Sequence, residues 1–265
     1  MEKIIMLGTG HGFVLNLYNT CFILENGNEN LLIDTGGGID IVKNLEKKGY
    51  KLTDIHNIFI SHCHTDHILG LMWIIKGVAK KLISGDIEPL NIYCNEEVSI
   101  SIKNMCKSVF PDKIIKAVEE NINIYILHDE ETLEIAGEKI TFFDVHPKGN
   151  QLYGFETNLN NGKKLIFLGD ETCNPILYDR LKEADYVMHE AFCLDKEEQI
   201  FKAYEKHHST VKSVCEFMQP LNIKNLILFH TEDTHEDKKG LYTAEAREYF
   251  DGNVIVPNDL DEIEL

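Results

Sequence analysis

Residues 62–67 place three histidines and one aspartate in a single short stretch. The stretch contains, in order, His62, Cys63, His64, Thr65, Asp66 and His67. Neutral imidazole nitrogens and carboxylate oxygens suit zinc and similar divalent ions. Neither an apolar core nor a solvated surface requires so many of these groups together. The spacing therefore predicts a metal site.

Apolar runs flank this cluster on both sides. Residues 58–60, Ile-Phe-Ile, predict a short buried strand, and residues 68–73 predict the start of a helix. The candidate ligands are therefore expected at a strand-to-helix turn.

Three further polar residues each follow an apolar strand in the second half of the chain. Residues 141–145 run into His146, residues 164–169 into Asp170, and residues 225–229 into His230. Ligands at the ends of rigid strands are held in better-defined positions than ligands on loops. Each of these three residues is therefore placed where a rigid element could hold it.

The pattern His-x-His-x-Asp-His, with the three later residues, resembles the metallo-β-lactamase superfamily. The resemblance implies an α/β fold, the αββα four-layer sandwich of the metallo-β-lactamase type. It also implies a single domain over residues 1–265, with two ββα halves of roughly 1–120 and 121–265. The alternation of predicted strands and helices agrees with two packed sheets covered by helices.

The resemblance also implies a set of ligands for two divalent metal ions. The first ion takes His62, His64 and His146, the second takes Asp66, His67 and His230, and Asp170 bridges the two. Zn²⁺ is the preferred ion, with Mn²⁺ and iron as alternatives. Two such ions can share a hydroxide and clamp a displaced ester. His64 stands where flavodiiron relatives usually carry Glu, which favours hydrolysis over electron transfer.

The second half shows a narrower resemblance, to the ribonuclease Z and phosphodiesterase branch. Residues 189–191, His-Glu-Ala, and residues 208–210, His-Ser-Thr, carry this resemblance. It implies that Glu190 and His208 form the acid–base pair that protonates the leaving group, with Asp66 as a further catalytic residue. Ser209 or Thr210 is expected to cap the following helix.

Two departures from the ribonuclease Z pattern disfavour nucleic acid as the substrate. The tRNA-processing enzymes carry a long basic arm between the ligands that match His146 and Asp170, and this interval is too short for one. The formal net charge is −18, whereas proteins that bind duplex nucleic acid collect Lys and Arg.

The preferred hypothesis is therefore a dinuclear-zinc phosphodiesterase that acts on small or cyclic phosphate esters. A ribonuclease Z-like tRNA 3′ endonuclease without the arm is the first alternative, followed by thioester or lactone hydrolysis. A one-iron oxygenase and a non-catalytic metal-bound sensor are hypotheses from other classes. Metal content and oxygen consumption would distinguish these two from a hydrolase.

The composition agrees with one compact enzyme. The chain has 265 residues with 43% hydrophobic content, and no membrane segment or signal peptide is expected after Met1. Seven scattered cysteines without a Cys-x-x-Cys pair predict reduced thiols and a cytoplasmic location. A homodimer is left open by analogy with related enzymes.

Smaller features complete the predictions. Asp34 is expected to brace the ligand loop, and Cys63 to be a packing residue that points away from the metals. His11, in a glycine-containing loop, either touches the substrate or is solvated. Residues 254–263 resemble a closing hairpin.

Overall fold

The computed structural model describes residues 2–27, 29–146 and 149–265. Met1, from which the chain was expected to enter its first strand, lies outside these residues, and the strand begins at Glu2. Within the described residues the strands form two seven-stranded sheets.

The first sheet carries the predicted ligand loop. In spatial order it contains β14 (Glu262–Glu264), β1 (Glu2–Gly8), β2 (Cys21–Asn26), β3 (Glu29–Ile33), β4 (Asn57–Ile60), β5 (Leu90–Cys94) and β6 (Ile122–Ile126). Strands β3 to β6 are parallel, and the other neighbours are antiparallel.

The second sheet mirrors this arrangement. In spatial order it contains β13 (Asn253–Ile255), β12 (Asn225–Phe229), β11 (Tyr186–Glu190), β10 (Lys164–Phe167), β9 (Tyr153–Asn158), β8 (Glu138–Asp144) and β7 (Thr132–Ile135). Strands β10 to β13 are parallel, and β7 to β10 are antiparallel.

The alternation of side chains along the strands creates the layers. In β4, Phe59 packs between the two sheets, whereas Ile58 and Ile60 pack against helices. In β12, Phe229 faces the core between the sheets, and Leu228 faces the helices of the second sheet. Because successive strand residues point to opposite faces, one apolar run supplies two cores. The predicted αββα four-layer sandwich is confirmed.

Helices cover the outer face of each sheet. Against the first sheet lie α1 (Asp40–Lys47), α2 (Thr65–Ser84), α3 (Glu96–Val109) and α4 (Asp112–Asn121). In the second half the helices are α5 (Tyr178–Leu181), α6 (Glu198–Phe201), α7 (Val211–Met218) and α8 (Lys238–Tyr249). No helix in the described part of the chain is long and apolar enough to cross a membrane.

Two predicted elements differ in the structure. The helix expected near 195–204 is a 3₁₀ turn followed by the four-residue helix α6, which ends where Lys202 adopts a φ of 56°. The prediction of a closing hairpin is wrong, because the last two strands do not pair with each other. Strand β13 pairs with β12 in the second sheet, and β14 pairs with β1 in the first. The last segment therefore joins both sheets.

The expected division near residue 120 stays a prediction. Strand β6 begins at Ile122 and still belongs to the first sheet, and β14 returns to that sheet from the end of the chain. All seven cysteines are free, as the sequence predicted. Cys63 is half-buried against the helix layer, and its sulfur accepts a hydrogen bond from Asn150.

Candidate metal centre

The candidate ligands lie where strands end. The loop of residues 61–64 joins β4 to α2, His146 follows β8, Asp170 follows β10, and His230 follows β12. Helix α2 starts earlier than expected, at Thr65, with His64 as its extended N-terminal neighbour. His230 adopts a left-handed φ of 56°, a backbone conformation that residues with a β-carbon rarely adopt. Such strain is typical of functional sites.

The carboxylate of Asp170 lies between two groups of histidines. Its Oδ1 is 3.5 Å from Nε2 of His62, and its Oδ2 is 3.3 Å from Nε2 of both His67 and His230. Oδ2 of Asp66 is 3.3 Å from His67 and 3.4 Å from His230. Two ligands bonded to one tetrahedral zinc ion are about 3.4 Å apart, so the observed spacings fit a metal site.

The structure brings six of the seven predicted ligands together. Asp66, His67, Asp170 and His230 form one group, and His62, His64 and Asp170 form the other. Within each group the ligand atoms lie within 4.8 Å of one another. Asp170 belongs to both groups, as expected of a bridging ligand.

His146 lies outside these two groups. About half of its side chain is exposed, and its Nδ1 is 4.0 Å from Oδ1 of Asp144. The next two residues along the chain, 147 and 148, lie outside the described part of the structure. The assignment of His146 to the first ion therefore stays a prediction.

Buried hydrogen bonds orient the ligands from behind. Nδ1 of His67 lies 2.8 Å from Oδ2 of Asp34, and Oδ1 of Asp34 accepts the backbone N–H of Ser61. The Ser61 hydroxyl also lies 3.0 Å from Nδ1 of His62. Contacts of this kind fix the tautomer and the orientation of metal-binding imidazoles. Asp34 thus braces the ligand loop, as the sequence predicted.

The electrostatics of the centre favour a bound cation. Burial lowers the pKa of His62 to about 3, which keeps its imidazole neutral and able to bind metal. Burial alone would raise the pKa of Asp170, but the surrounding imidazoles hold it well below its usual range. Burial likewise opposes protonation of His67, but three carboxylates raise its pKa well above the usual value. Divalent cations bound at this centre would balance the negative charge of these carboxylates.

Glu190 and His208 lie beside the group of Asp66, His67, Asp170 and His230. Glu190 ends β11 and is completely buried, and one of its oxygens accepts the backbone N–H of Ser209. Its other oxygen is 3.7 Å from Nδ1 of His208, which is too long for a hydrogen bond. The His208 ring lies 5.2 Å from the ring of His230. Thr210 caps α7 by accepting the backbone N–H of Ser213.

Burial shifts the pKa values of Glu190 and His208 in opposite directions. It raises the pKa of the Glu190 carboxyl well above its usual value and lowers that of His208 to about 3. Both shifts favour the uncharged form of each group. An uncharged pair consists of a carboxylic acid beside an imidazole that keeps one ring N–H.

His11 is not the solvated loop residue of one prediction, and its contact with substrate stays a prediction. It is buried, and its Nε2 lies 2.9 Å from Oε1 of Glu232. Its Nδ1 accepts the backbone N–H of Phe13, so Nε2 carries the proton that is donated to Glu232. With both nitrogens used, the ring is a fixed part of the wall beside the centre. Glu232 was missed in the sequence, where its only signal is its position two residues after His230.

The fold and the buried histidine–aspartate cluster define a metallohydrolase of the metallo-β-lactamase type. Solved structures with the same fold include the metallo-β-lactamase fold protein YhfI from Bacillus subtilis, with a TM-score of 0.79 and 17% identity. That match covers 100% of this chain and 99% of the other. Residues 2–250 match the family model described as Anti-Pycsar protein Apyc1, and the chain belongs to that family.

Further relatives extend over the whole chain. Ribonuclease Z of Thermococcus sibiricus is 28% identical over 314 positions, which cover 100% of this chain and 97% of the relative. Ribonuclease Z of Nitrosopumilus maritimus is 25% identical over 308 positions, which cover 99% of each chain. The structure of human tRNase Z, short form, has a TM-score of 0.74 at 22% identity and covers 99% of this chain and 98% of the other.

Proposed function

We propose that the protein is a phosphodiesterase that holds two zinc ions and acts on small or cyclic phosphate esters. The observation that carries this proposal is the position of Asp170, whose two carboxylate oxygens each face a different group of histidines. The residues of these two groups would hold two divalent ions, which would activate a water nucleophile and neutralise charge on a phosphate diester.

The choice of zinc follows from the donor atoms. The six assembled ligands offer imidazole nitrogens and carboxylate oxygens, and the spacing of Asp66, His67 and Asp170 suits bonds of about 2.0–2.1 Å. A fold relative, PqqB from Methylobacterium extorquens, is described as Zn²⁺-bound, with a TM-score of 0.75 at 16% identity. Manganese and iron remain alternatives, because the same ligands also bind them.

Glu190 and His208 support ester cleavage in particular. Hydrolysis forms one P–O bond from water and breaks another, so the departing alkoxide must gain a proton. His208 delivers this proton from Nε2, and Glu190 supplies its own proton to Nδ1 when the 3.7 Å gap between them closes to hydrogen-bond distance in the complex with substrate. Positioned general acids of this kind typically contribute about 10²–10⁴-fold to the rate.

The architecture between two of the predicted ligands favours small substrates. The described residues from His146 to Asp170 form a short loop and the hairpin of β9 and β10, without an arm that could grip tRNA. The alignment with the ribonuclease Z of N. maritimus runs over 308 positions, although this chain has 265 residues. That relative therefore carries segments that this chain lacks. The net charge of −18 also opposes binding to a long polyanion.

A ribonuclease Z-like endonuclease is the second candidate. The specific observation in its favour is that two ribonuclease Z relatives match nearly the whole chain at 25% and 28% identity. Nothing in the site favours thioester or lactone hydrolysis over phosphodiester cleavage, because the Glu190–His208 pair serves a poor leaving group.

A substrate panel with zinc-loaded protein tests the proposal. It contains cyclic nucleotides, bis(p-nitrophenyl) phosphate, a thioester, a lactone and precursor tRNA. We expect turnover of the cyclic and small diesters and poor, salt-sensitive cleavage of the tRNA. His67→Ala should abolish turnover. The control is His56→Ala, just before the start of β4 and therefore at the end of the strand away from the ligand loop, which should retain turnover. Efficient tRNA cleavage at physiological salt with negligible turnover of small diesters would favour the second candidate.

A further inference from the structure

An aromatic ring stacks on the imidazole of His208. The rings of Phe192 and His208 are parallel within 7°, with their centroids 4.6 Å apart. The ring of His11 contacts the same phenyl ring, with centroids 4.3 Å apart. Phe192 is 2% exposed, and Cys193 and Ala203 complete its packing. The three rings form what we call the aromatic stack.

The backbone of Phe192 is held on both sides. Its N–H donates to the carbonyl of Ser209, the residue that follows His208. Its carbonyl accepts the backbone N–H of Glu232 and the hydroxyl of Tyr242. The phenyl ring therefore has a fixed position relative to the segment that carries His208.

The far end of the aromatic stack is equally constrained. His11 donates from Nε2 to Glu232 and accepts the N–H of Phe13 at Nδ1, so its ring cannot rotate without breaking a hydrogen bond. Glu232 and His11 are both buried, and an unpaired carboxylate there would be costly. The pair thus provides a rigid support behind Phe192.

The His208 ring depends on such support because its carboxylate partner does not orient it alone. The distance of 3.7 Å between Oε2 of Glu190 and Nδ1 of His208 leaves both atoms without a hydrogen-bond partner among the described residues. The other oxygen of Glu190 is taken by the backbone of Ser209. The His230 ring also lies near, but it is tilted by 41°, so the parallel stacking on Phe192 is the contact that best defines the plane of the imidazole.

We propose that Phe192, supported by the His11–Glu232 pair, is a positioning residue that sets the plane of the His208 ring for proton delivery. This inference rests on the proposed role of His208 as proton donor. Proton transfer requires the donor nitrogen to point at the departing oxygen, and a ring free to tilt spends less time in that geometry. Phe192 does not itself contact the reacting atoms.

The experiment compares two leaving groups in Phe192→Leu. With a diester whose alcohol has a high pKa, we expect kcat to fall about 3- to 10-fold, the range set by the energy of one aligned aromatic pair. With a p-nitrophenyl diester, whose leaving group departs without a proton, kcat should stay nearly constant. KM and metal content should not change for either substrate. Phe192→Tyr, which retains the ring, should restore kcat.

Phe142→Leu is the matched control. Phe142 is completely buried in the core between the sheets and packs against Phe59 and Phe155, away from the aromatic stack. Its replacement removes a similar buried ring without changing the surroundings of His208. We expect lower thermal stability with no difference between the two leaving groups. His11→Gln, which keeps a donor for Glu232 but lacks the ring, tests the same stack if Phe192→Leu does not fold.

A double variant separates this inference from the proposed function. If Phe192 acts through His208, adding Phe192→Leu to His208→Ala should cost no further activity. Additive losses, or equal losses for both leaving groups in Phe192→Leu, would overturn the positioning role alone. If His208→Ala itself shows no dependence on the leaving group, the proton-donor assignment fails, and the positioning role fails with it.

Discussion

Nδ1 of His67 lies 2.8 Å from Oδ2 of Asp34, and both side chains are completely buried. Because Nδ1 donates its proton to this carboxylate, Nε2 is the nitrogen that faces Asp66 and Asp170, and a metal bound there would displace the proton that the raised pKa of His67 favours. The ligand loop and the end of β3 are joined by the same carboxylate through Ser61. The shape of the centre is therefore built into the fold.

Asp34→Asn should weaken metal binding while leaving the fold intact. Asn has nearly the same size and tolerates the left-handed φ of 54° at this position. The neutral amide, however, accepts the His67 proton less strongly, and such second-layer changes typically cost about 10–100-fold in metal affinity. Competition with a chromophoric chelator measures the loss. The matched control, Asp86→Asn, changes an exposed carboxylate beyond the far end of α2 and should have no effect.

Asp170→Asn should remove at least one ion from the centre. The substitution takes away one negative charge between two groups of ligands that each need it to balance a dication. We expect fewer than two metals per chain by atomic emission spectroscopy, an unchanged circular dichroism spectrum and a loss of hydrolysis. Two firmly bound metals with full activity in this variant would contradict the bridging assignment.

His146→Ala tests the ligand that the structure leaves outside the cluster. The family resemblance predicts that His146 binds the first ion together with His62 and His64. Its loss should then lower the occupancy of one metal position as much as His64→Ala does. Metal content per chain compares the two variants directly. A full complement of metal in His146→Ala, with a deficit in His64→Ala, would show that His146 is not a ligand.

The fold was largely predictable because the strands that position the site carry local signals. The two apolar runs that lead to Asp170 and His230 are short, contain residues that favour strands and end at a polar residue. Both form strands. The partner of a strand is a different matter. Whether β14 pairs with β13 or with β1 depends on contacts across the whole chain, which a local pattern does not contain.

The same distinction holds for the site. The cluster of residues 62–67 could be predicted from the sequence because its members are adjacent in the chain. The partnership of His11 with Glu232 joins residues at opposite ends of the chain, and neither lies in a motif. The position of His146 depends on its left-handed φ of 56°, two residues after β8 ends, a local conformation that composition does not predict.

Glu138→Gln should stabilise the protein at alkaline pH. Burial and the neighbouring Glu2 raise the pKa of Glu138 from 4.5 to about 7, and Glu2 and Glu138 belong to different sheets. A carboxyl whose pKa is raised on folding contributes to the free energy of unfolding in its protonated form. For Glu138 this contribution is complete below pH 4.5 and is lost as the pH rises through about 7. Urea unfolding of wild type and variant at pH 5 and pH 8.5 measures the difference.

The gain from Glu138→Gln should therefore appear at pH 8.5, where the buried carboxyl of Glu138 is ionised, and vanish or reverse at pH 5. Glu134→Gln, an exposed substitution on the neighbouring strand β7, is the matched control and should change stability little at either pH. An equal effect of Glu138→Gln at both pH values would show that the carboxyl does not titrate between them.

His208→Ala should separate the proton donor from the metal centre. The six assembled candidate ligands remain in place, so metal content should persist, while protonation of the leaving oxygen is lost. This is a transition-state contribution, so kcat should fall with little change in KM. For a diester whose alcohol has a high pKa, the fall should be about 10²-fold or more. For p-nitrophenol, which leaves as the anion, it should be much smaller. Equal losses for both substrates would mean that His208 positions the phosphate or supports the fold, and that Glu190 and His208 do not deliver the proton.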